Sequence, residues 1–394
     1  MNSSPLRGLR ALISGAGVAG PALACALAEY GAEVTVVEIA AALRGSGFPV
    51  DFRGPTHLRV LERLGILDEL RRVQTHGGAM TCVDERDREI FTLPAEFTGG
   101  DLEVHRSDLS HLLYQRSQPR TEYLFGDAVT GLADTGDGMR VTFARSGSRD
   151  FDLVIGADGL HSAVRRHAFG PEERYVRHLG YHIAGWSLPN DFDATSTARH
   201  FAVPGRMASV SADHRNPARA TALMIFASPP LDVDWHETDQ QKKLIQDAYA
   251  GMPWHVPHLL NTLSDAPELY FDSISKVRVP QWHTGRVALL GDAAWGVTLG
   301  GMGVGTGVVG AYVLAGELAV ANGDHRIAYP AYERRMRQYA DRWQRGAHPG
   351  KFLAPGTGWG LWLRNSMFRT SLFRRMLISG SASMATDAGL PEYR

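Results

Sequence analysis

The sequence predicts an α/β protein: a Rossmann-like nucleotide-binding domain with an inserted β-sheet domain and a C-terminal helix. Three observations predict it. Leu12-Ile13-Ser14 runs as an apolar strand into the glycine turn Gly15-Ala16-Gly17-Val18-Ala19-Gly20, and Glu38 closes the next strand, Val34 to Val37. Nearly three hundred residues later a second apolar strand, from Arg286 to Leu290, ends in Gly291-Asp292 and is followed by Gly300-Gly301-Met302-Gly303. Between them, residues 175–279 change to the two-residue alternation of half-buried strands.

The first unit follows from its spacing. Gly15 permits the tight turn, Gly17 lets the backbone approach a pyrophosphate with no Cβ in the way, and Gly20 lets the helix pack close on the strand. The phosphates then meet the helix N-terminus, where unpaired N–H groups and the dipole favour an anion. Glu38 lies about 20 residues beyond the glycines, where a carboxylate accepts from ribose hydroxyls. A lone glycine motif is weak; strand, turn, helix, strand and acid in order are specific.

The remaining elements follow along the chain. A helix is expected over Pro21 to Tyr30, then an amphipathic helix over Thr56 to Leu64 with Leu58, Leu61 and Leu64 at helical spacing. Strands are expected at Met80 to Asp84, Glu89 to Leu93, Tyr123 to Phe125, Met139 to Phe143 and Phe151 to Ile155. His105 to Leu109 opens a helix, and another begins at Ser162. The β-rich block offers strands at Tyr181 to Ser187, Ala198 to Val203, Met207 to Ala212 and Arg219 to Phe226, then a helix near Asp239 to Ala250. The expected division is a discontinuous nucleotide domain over 1–72, 100–174 and 280–345, a substrate domain over 73–99 and 175–279, and a C-terminal helical segment over 346–394.

Composition narrows the function classes. The 394 residues carry a formal net charge of -1 and 44% apolar residues, which offers no basic field for nucleic acid. Cys25 and Cys82 match no metal or redox spacing, so no metal site is expected. Residues 11–28 and 293–316 are long and uncharged, but their glycines bury little hydrocarbon and both serve better as βα turns. No membrane span, a cytoplasmic location and a monomer or weak homodimer are expected.

The set Gly15-x-Gly17-x-x-Gly20, Glu38, Arg44, Arg106, Asp158-Gly159 and Gly291-Asp292 resembles the class A flavoprotein monooxygenases, over residues 10 to 345. These are the single-component aromatic hydroxylases typified by para-hydroxybenzoate hydroxylase and the tetracycline-inactivating monooxygenases. The resemblance implies FAD as cofactor and NADPH or NADH as transient reductant. It implies O2 and an aromatic or polycyclic small molecule as co-substrates, oxygenated through a flavin hydroperoxide in secondary metabolism. It implies FAD contacts from Gly15, Ala16, Gly17, Val18, Ala19, Gly20, Glu38, Arg44, Arg106, Asp158, Asp292, Gly301, Met302 and Gly303. Asp292 would hold the ribityl chain, Arg106 would face the flavin side of the nucleotide, and Asp158 would support both FAD and reductant docking. Arg106 could instead pair with Asp108 or Glu103 on the surface, and Asp292 could merely cap a helix.

The chain departs from the family pattern after Gly-Asp-Ala-Ala. Trp295, Thr298 and Gly305 stand where His, Pro and Asn are usual. Trp295 and Thr298 are expected to replace that wall of the substrate site. His182, Trp186, Met224 and Phe226 are expected pocket residues on the inserted sheet. No catalytic acid or base is legible. A flavin reductase or oxidoreductase without oxygen insertion is the competing activity. Near the C-terminus, Trp359, Trp362, Leu363, Met367, Leu372, Phe373 and Met376 form an apolar stripe interleaved with arginines. Docking on the protein itself is expected there, rather than on a membrane.

Overall fold

A computed structural model describes residues 4–43, 48–75, 77–95, 100–192, 197–213, 215–231, 237–299, 303–345, 348–370 and 389–393. Two large sheets organise them. The first has six strands in the order His283–Thr284, Val287–Leu289, Leu153–Gly156, Arg10–Ser14, Glu33–Glu38 and Thr121–Phe125. From Val287–Leu289 to Thr121–Phe125 every pairing is parallel. Such a sheet is covered on both faces, so its strands read as continuous apolar runs rather than alternations. Leu12, Ile13, Val154, Ile155 and Ala288 are accordingly fully buried.

The second sheet has seven strands in the order Tyr270–Val277, Val176–Pro189, Arg219–Ala227, Arg206–Ala212, Ala198–Val203, Met80–Val83 and Glu89–Leu93. The two early strands come from residues far from the rest in sequence, and Met80–Val83 joins Ala198–Val203 in parallel. Two-residue periodicity splits the sheet into unlike faces. Ala184, Trp186, Leu188, Ala222, Met224, Phe226 and Phe271 share one core with Tyr249 and Leu259, from the helices Thr238–Tyr249 and Val256–Ser264. Tyr181, Ile183, Met207, Ile225 and Ile274 occupy the opposite face, with Phe48, Leu223, Tyr270 and Leu353 packed on them.

The helix Ala19–Glu29 is matched by Gly303–Val320, and the two lie against each other. By length and composition Gly303–Val320 is the one described helix apolar enough to cross a bilayer. Most of its residues are buried within the fold, and Ala11 to Ala28, the other uncharged stretch, is a strand, a turn and a helix. Gly305, Gly307 and Gly310 lie inside this helix, where the last two serve packing. A Cβ on Gly307 would stand 3.4 Å from Ala19, and one on Gly310 would stand 3.0 Å from Trp295.

Beyond the long helix His325–Gln344, the C-terminal region forms the helices Pro349–Leu353 and Gly358–Phe368. Phe368 is buried and stacks on Phe91 at 5.2 Å, so this last helix docks on the outer strand of the seven-stranded sheet. Residues 389–393 return to the other sheet's side, where Tyr393 lies over Gly316 and donates to Glu317 at 2.6 Å. Leu372, Phe373 and Met376 lie outside the described residues. Cys25 and Cys82 are buried free thiols, and burial pushes them up to about 12 and about 11.

Candidate active site

The glycine turn has the geometry its spacing demands. Gly15 has φ +106°, and a Cβ there would sit 2.5 Å from the Ala157 carbonyl oxygen. A Cβ on Gly20 would fall 1.9 Å from the Gly15 carbonyl oxygen. The helix that follows has Val18 at its N-cap with no side-chain cap and no acid in its first turn, which leaves its end available to an anion. Glu38 accepts from the Ala16 N–H at 2.8 Å and from the Ala40 N–H at 3.0 Å. These two bonds aim the carboxylate at the turn and leave lone pairs over.

Three distant segments meet at this turn. The Arg106 guanidinium lies against Gly17, 3.6 Å from where its Cβ would be, and its charge reaches Asp292. Neither alternative partner holds Arg106: Asp108 pairs with Arg215 at 2.6 Å, and Glu103 accepts from Thr75. Gly291, at φ +63°, has room for a Cβ only 3.3 Å from Ala19, so the two βα turns touch. The Asp292 side chain is exposed and makes no hydrogen bond among the described residues. The surrounding protein strips water from its carboxyl and raises its pKa; Arg106 opposes the rise and Asp272 adds to it. It does not cap its own helix through the side chain.

The loop after Asp292 is fixed at each step. Arg165 is fully buried and donates to the Ala293 carbonyl at 3.0 Å and the Leu160 carbonyl at 2.6 Å. Gln344 donates to the Trp295 carbonyl at 2.6 Å, and the Thr298 N–H donates to the Ser275 carbonyl at 3.0 Å. Gly303 starts the next helix 3.2 Å, measured from a Cβ position, from Asp292 Oδ1. Arg165 and Gln344 were not singled out by sequence; the only signal for Arg165 is a cation beside apolar Val164 at the start of a short helix.

Several expected site residues take other roles. Trp295 is 4% exposed, packs tilted against Trp282 with ring centroids 4.4 Å apart and donates its indole N–H to Thr306 at 3.2 Å. It is a core residue beneath the loop and not a pocket wall. The Thr298 hydroxyl accepts from the Ser275 N–H, so it pins the loop to the second sheet. His182, Trp186, Met224 and Phe226 all point to the helix-covered face. His182 bonds Ser228 and stacks on Phe226 and Phe271, Trp186 donates to Thr262, and burial lowers His182 to about 4. These four are corrected to core positions; the alternation was right and its parity was inverted.

The face toward the nucleotide sheet carries Tyr181, Ile183, Gly185, Leu223 and Ile225. Gly185 is needed there because the Phe48 ring stands 2.3 Å from where its Cβ would be. Asp158 accepts from Ser14, Ser162 and the Val164 N–H, which locks its loop to the first strand and the helix Ala163–Phe169. Burial raises its pKa against those bonds. Both its oxygens are thus engaged by protein. Arg44, Gly301 and Met302 lie outside the described residues. Among the described residues no cluster of three metal-ligating side chains occurs.

Gly305 stands where the family usually has Asn, and His57 gives the reason. A Cβ on Gly305 would lie 2.5 Å from the His57 ring. His57 is buried, accepts from the Arg53 N–H at 3.0 Å and bonds Tyr339 at 2.8 Å. Burial lowers it to about 4, so it is neutral.

These residues fit a flavin dinucleotide: a turn with no room for a Cβ at Gly15 or Gly20, an open helix end, a cation beside it and, from a second strand, a carboxylate with no hydrogen-bond partner among the described residues. Comparisons with known proteins agree. A sequence profile described as FAD binding domain matches residues 9–344. An uncharacterised protein of Mycobacterium tuberculosis is 40% identical over 84% of this chain and 90% of its own length. A flavin-dependent monooxygenase of Legionella longbeachae is 31% identical over 85% and 87%. The crystal structure of the tetracycline destructase Tet(51) superposes with a TM-score of 0.82 at 28% identity, covering 98% of this chain and 99% of that one. The chain belongs to the FAD-binding-domain family and is an FAD-dependent monooxygenase of the class A type.

Proposed function

We propose that the enzyme oxygenates an electron-rich aromatic or polycyclic small molecule, held between the glycine turn and the face of the seven-stranded sheet that bears Ile183, Gly185 and Leu223. The observation that carries this reading is the meeting of Gly17, Arg106 and Asp292 beside that face. Bound FAD supplies the redox chemistry, with NADPH or NADH as reductant and O2 as oxidant. The likeness to a protein named tetracycline destructase supports a polycyclic substrate. We read the division into a nucleotide domain over 1–72, 100–174 and 280–345 and a substrate domain over 73–99 and 175–279 as the functional one, with both sheets contributing to one cleft.

The chain's own residues then have assignable tasks. Gly15, Ala16, Gly17, Val18, Ala19 and Gly20 present the backbone and the helix end to the pyrophosphate. Glu38 takes the adenosine ribose. Arg106 offsets negative charge beside Gly17, and Asp292 accepts from hydroxyl groups of the cofactor chain. The N-terminus of Gly303–Val320 would face the bound cofactor with the positive end of its dipole and favour negative charge there. The apolar face, walled by Phe48, Tyr270 and Leu223, orients a flat substrate and limits water. Asp158, Arg165, Gln344 and Thr298 hold the loops in register.

The test is a turnover assay with isotopically labelled dioxygen across a panel of phenols and fused-ring aromatics. The reading expects substrate-stimulated NAD(P)H oxidation with label in the organic product. NAD(P)H oxidation that releases only hydrogen peroxide with every aromatic tried contradicts it and favours an oxidoreductase without oxygen insertion.

A further inference from the structure

The helix Gly358–Phe368 uses one face to dock, through buried Phe368 and through Arg364, which donates to the Phe352 and Leu353 carbonyls at 3.2 and 2.8 Å. Its other flank is exposed among the described residues. Trp359 is 70% exposed, Trp362 61% and Met367 36%, so three of the eight large apolar side chains exposed in the described structure lie on these 11 residues. Single exposed apolar groups need no explanation, but two tryptophans one turn apart make a patch.

Charge gives the patch a partner. From Arg345 to Thr386 the sequence has six basic residues, Arg345, Lys351, Arg364, Arg369, Arg374 and Arg375, and no Asp or Glu. The chain as a whole is net -1, so the rest of the molecule is acidic and the positive charge is concentrated here. Lys351 and Arg369 flank the tryptophans in sequence and are exposed. Indole rings favour the boundary between lipid headgroups and acyl chains, and basic side chains beside them favour an anionic headgroup layer. We infer that this C-terminal helix seats the enzyme on the surface of a bilayer containing anionic lipid, with Trp359 and Trp362 as the inserted anchors. No span is involved, because the docked face of the same helix stays in the protein.

The inference does not depend on turnover and is tested on the FAD-loaded enzyme by co-sedimentation with vesicles. Vesicles of phosphatidylcholine and phosphatidylglycerol in equal parts are compared with phosphatidylcholine alone, at low and high salt, for the wild type and Trp359→Ser/Trp362→Ser. Flavin absorbance and the thermal midpoint without vesicles report that the variant is folded. Binding to the anionic vesicles is expected, weakened by salt and reduced more than about tenfold by the double substitution. A wild type that stays in the supernatant, or a variant that binds like the wild type, overturns the inference. So does a double variant with a lowered thermal midpoint and faster proteolysis within residues 371–388, which would assign the patch to the protein's own chain.

Discussion

At single positions, glycine spacing is decided by what stands opposite. Gly15, Gly17 and Gly20 are spaced for a ligand and a helix, and the spacing alone specifies them. Gly305 is different: no local pattern demands it, and its reason is the ring of His57, about 250 residues earlier in the chain. A methyl group there must displace a buried ring held by Arg53 and Tyr339. Gly305→Ala is expected to cost about 1–3 kcal/mol by overpacking. Combining it with His57→Ala in a double-mutant cycle, read by denaturant unfolding, should show strong coupling between the two sites. Additive effects would mean that the contact is not the constraint.

Single strands of the second sheet were legible in outline but not in orientation. Ala198–Val203 and Glu89–Leu93 match their expected bounds, and the strand beginning at Arg219 extends by one residue. Alternation fixes which residues share a face, yet both faces of this sheet are covered, one by helices and one by the nucleotide side. Hydrophobicity therefore could not say which face meets the substrate, and aromatic weight drew the choice to Trp186 and Phe226. The helix Val256–Ser264 was missed because Pro257 and neighbouring histidines blur its period, and it covers the face together with Thr238–Tyr249. Met224→Ala is expected to destabilise the fold by about 2–5 kcal/mol and leave KM unchanged. Leu223→Ala, one residue away on the opposite face, should raise KM about tenfold with a smaller loss of stability. Thermal unfolding and steady-state kinetics on the two variants separate the faces, and the reverse pattern would restore the original orientation.

Across the whole molecule, the two sheets are joined by a titrating contact. His161, in the loop after Asp158-Gly159, bonds Glu172 at 2.9 Å and Asp272 of the second sheet at 3.3 Å. Burial alone would lower its pKa, but the hydrogen bonds to Asp272 and Glu172 outweigh it and raise His161 from 6.5 to about 9. The folded value is the higher one, so the contribution is complete below pH 6.5 and is lost as pH rises through about 9. The thermal midpoint is expected to fall over that interval, and His161→Gln should flatten the fall. An identical decline in the variant would place the titrating group elsewhere. None of this contact was legible in the sequence, since 111 residues separate its partners. The architecture itself was legible, because each βα turn carries its own glycine and acid.

The central claim is that Asp292 and the Gly15 to Gly20 turn, brought together by the packing of Gly291 on Ala19, hold one FAD. The most direct measurement is the FAD dissociation constant of the wild type and Asp292→Ala, by fluorescence quenching on apoprotein. Because the Asp292 side chain bonds no described protein group, its removal should spare the fold and cost about 1.5–3 kcal/mol of binding, roughly tenfold to a hundredfold in Kd. A wild type that binds no FAD, or an Asp292→Ala protein with unchanged Kd, would contradict the account.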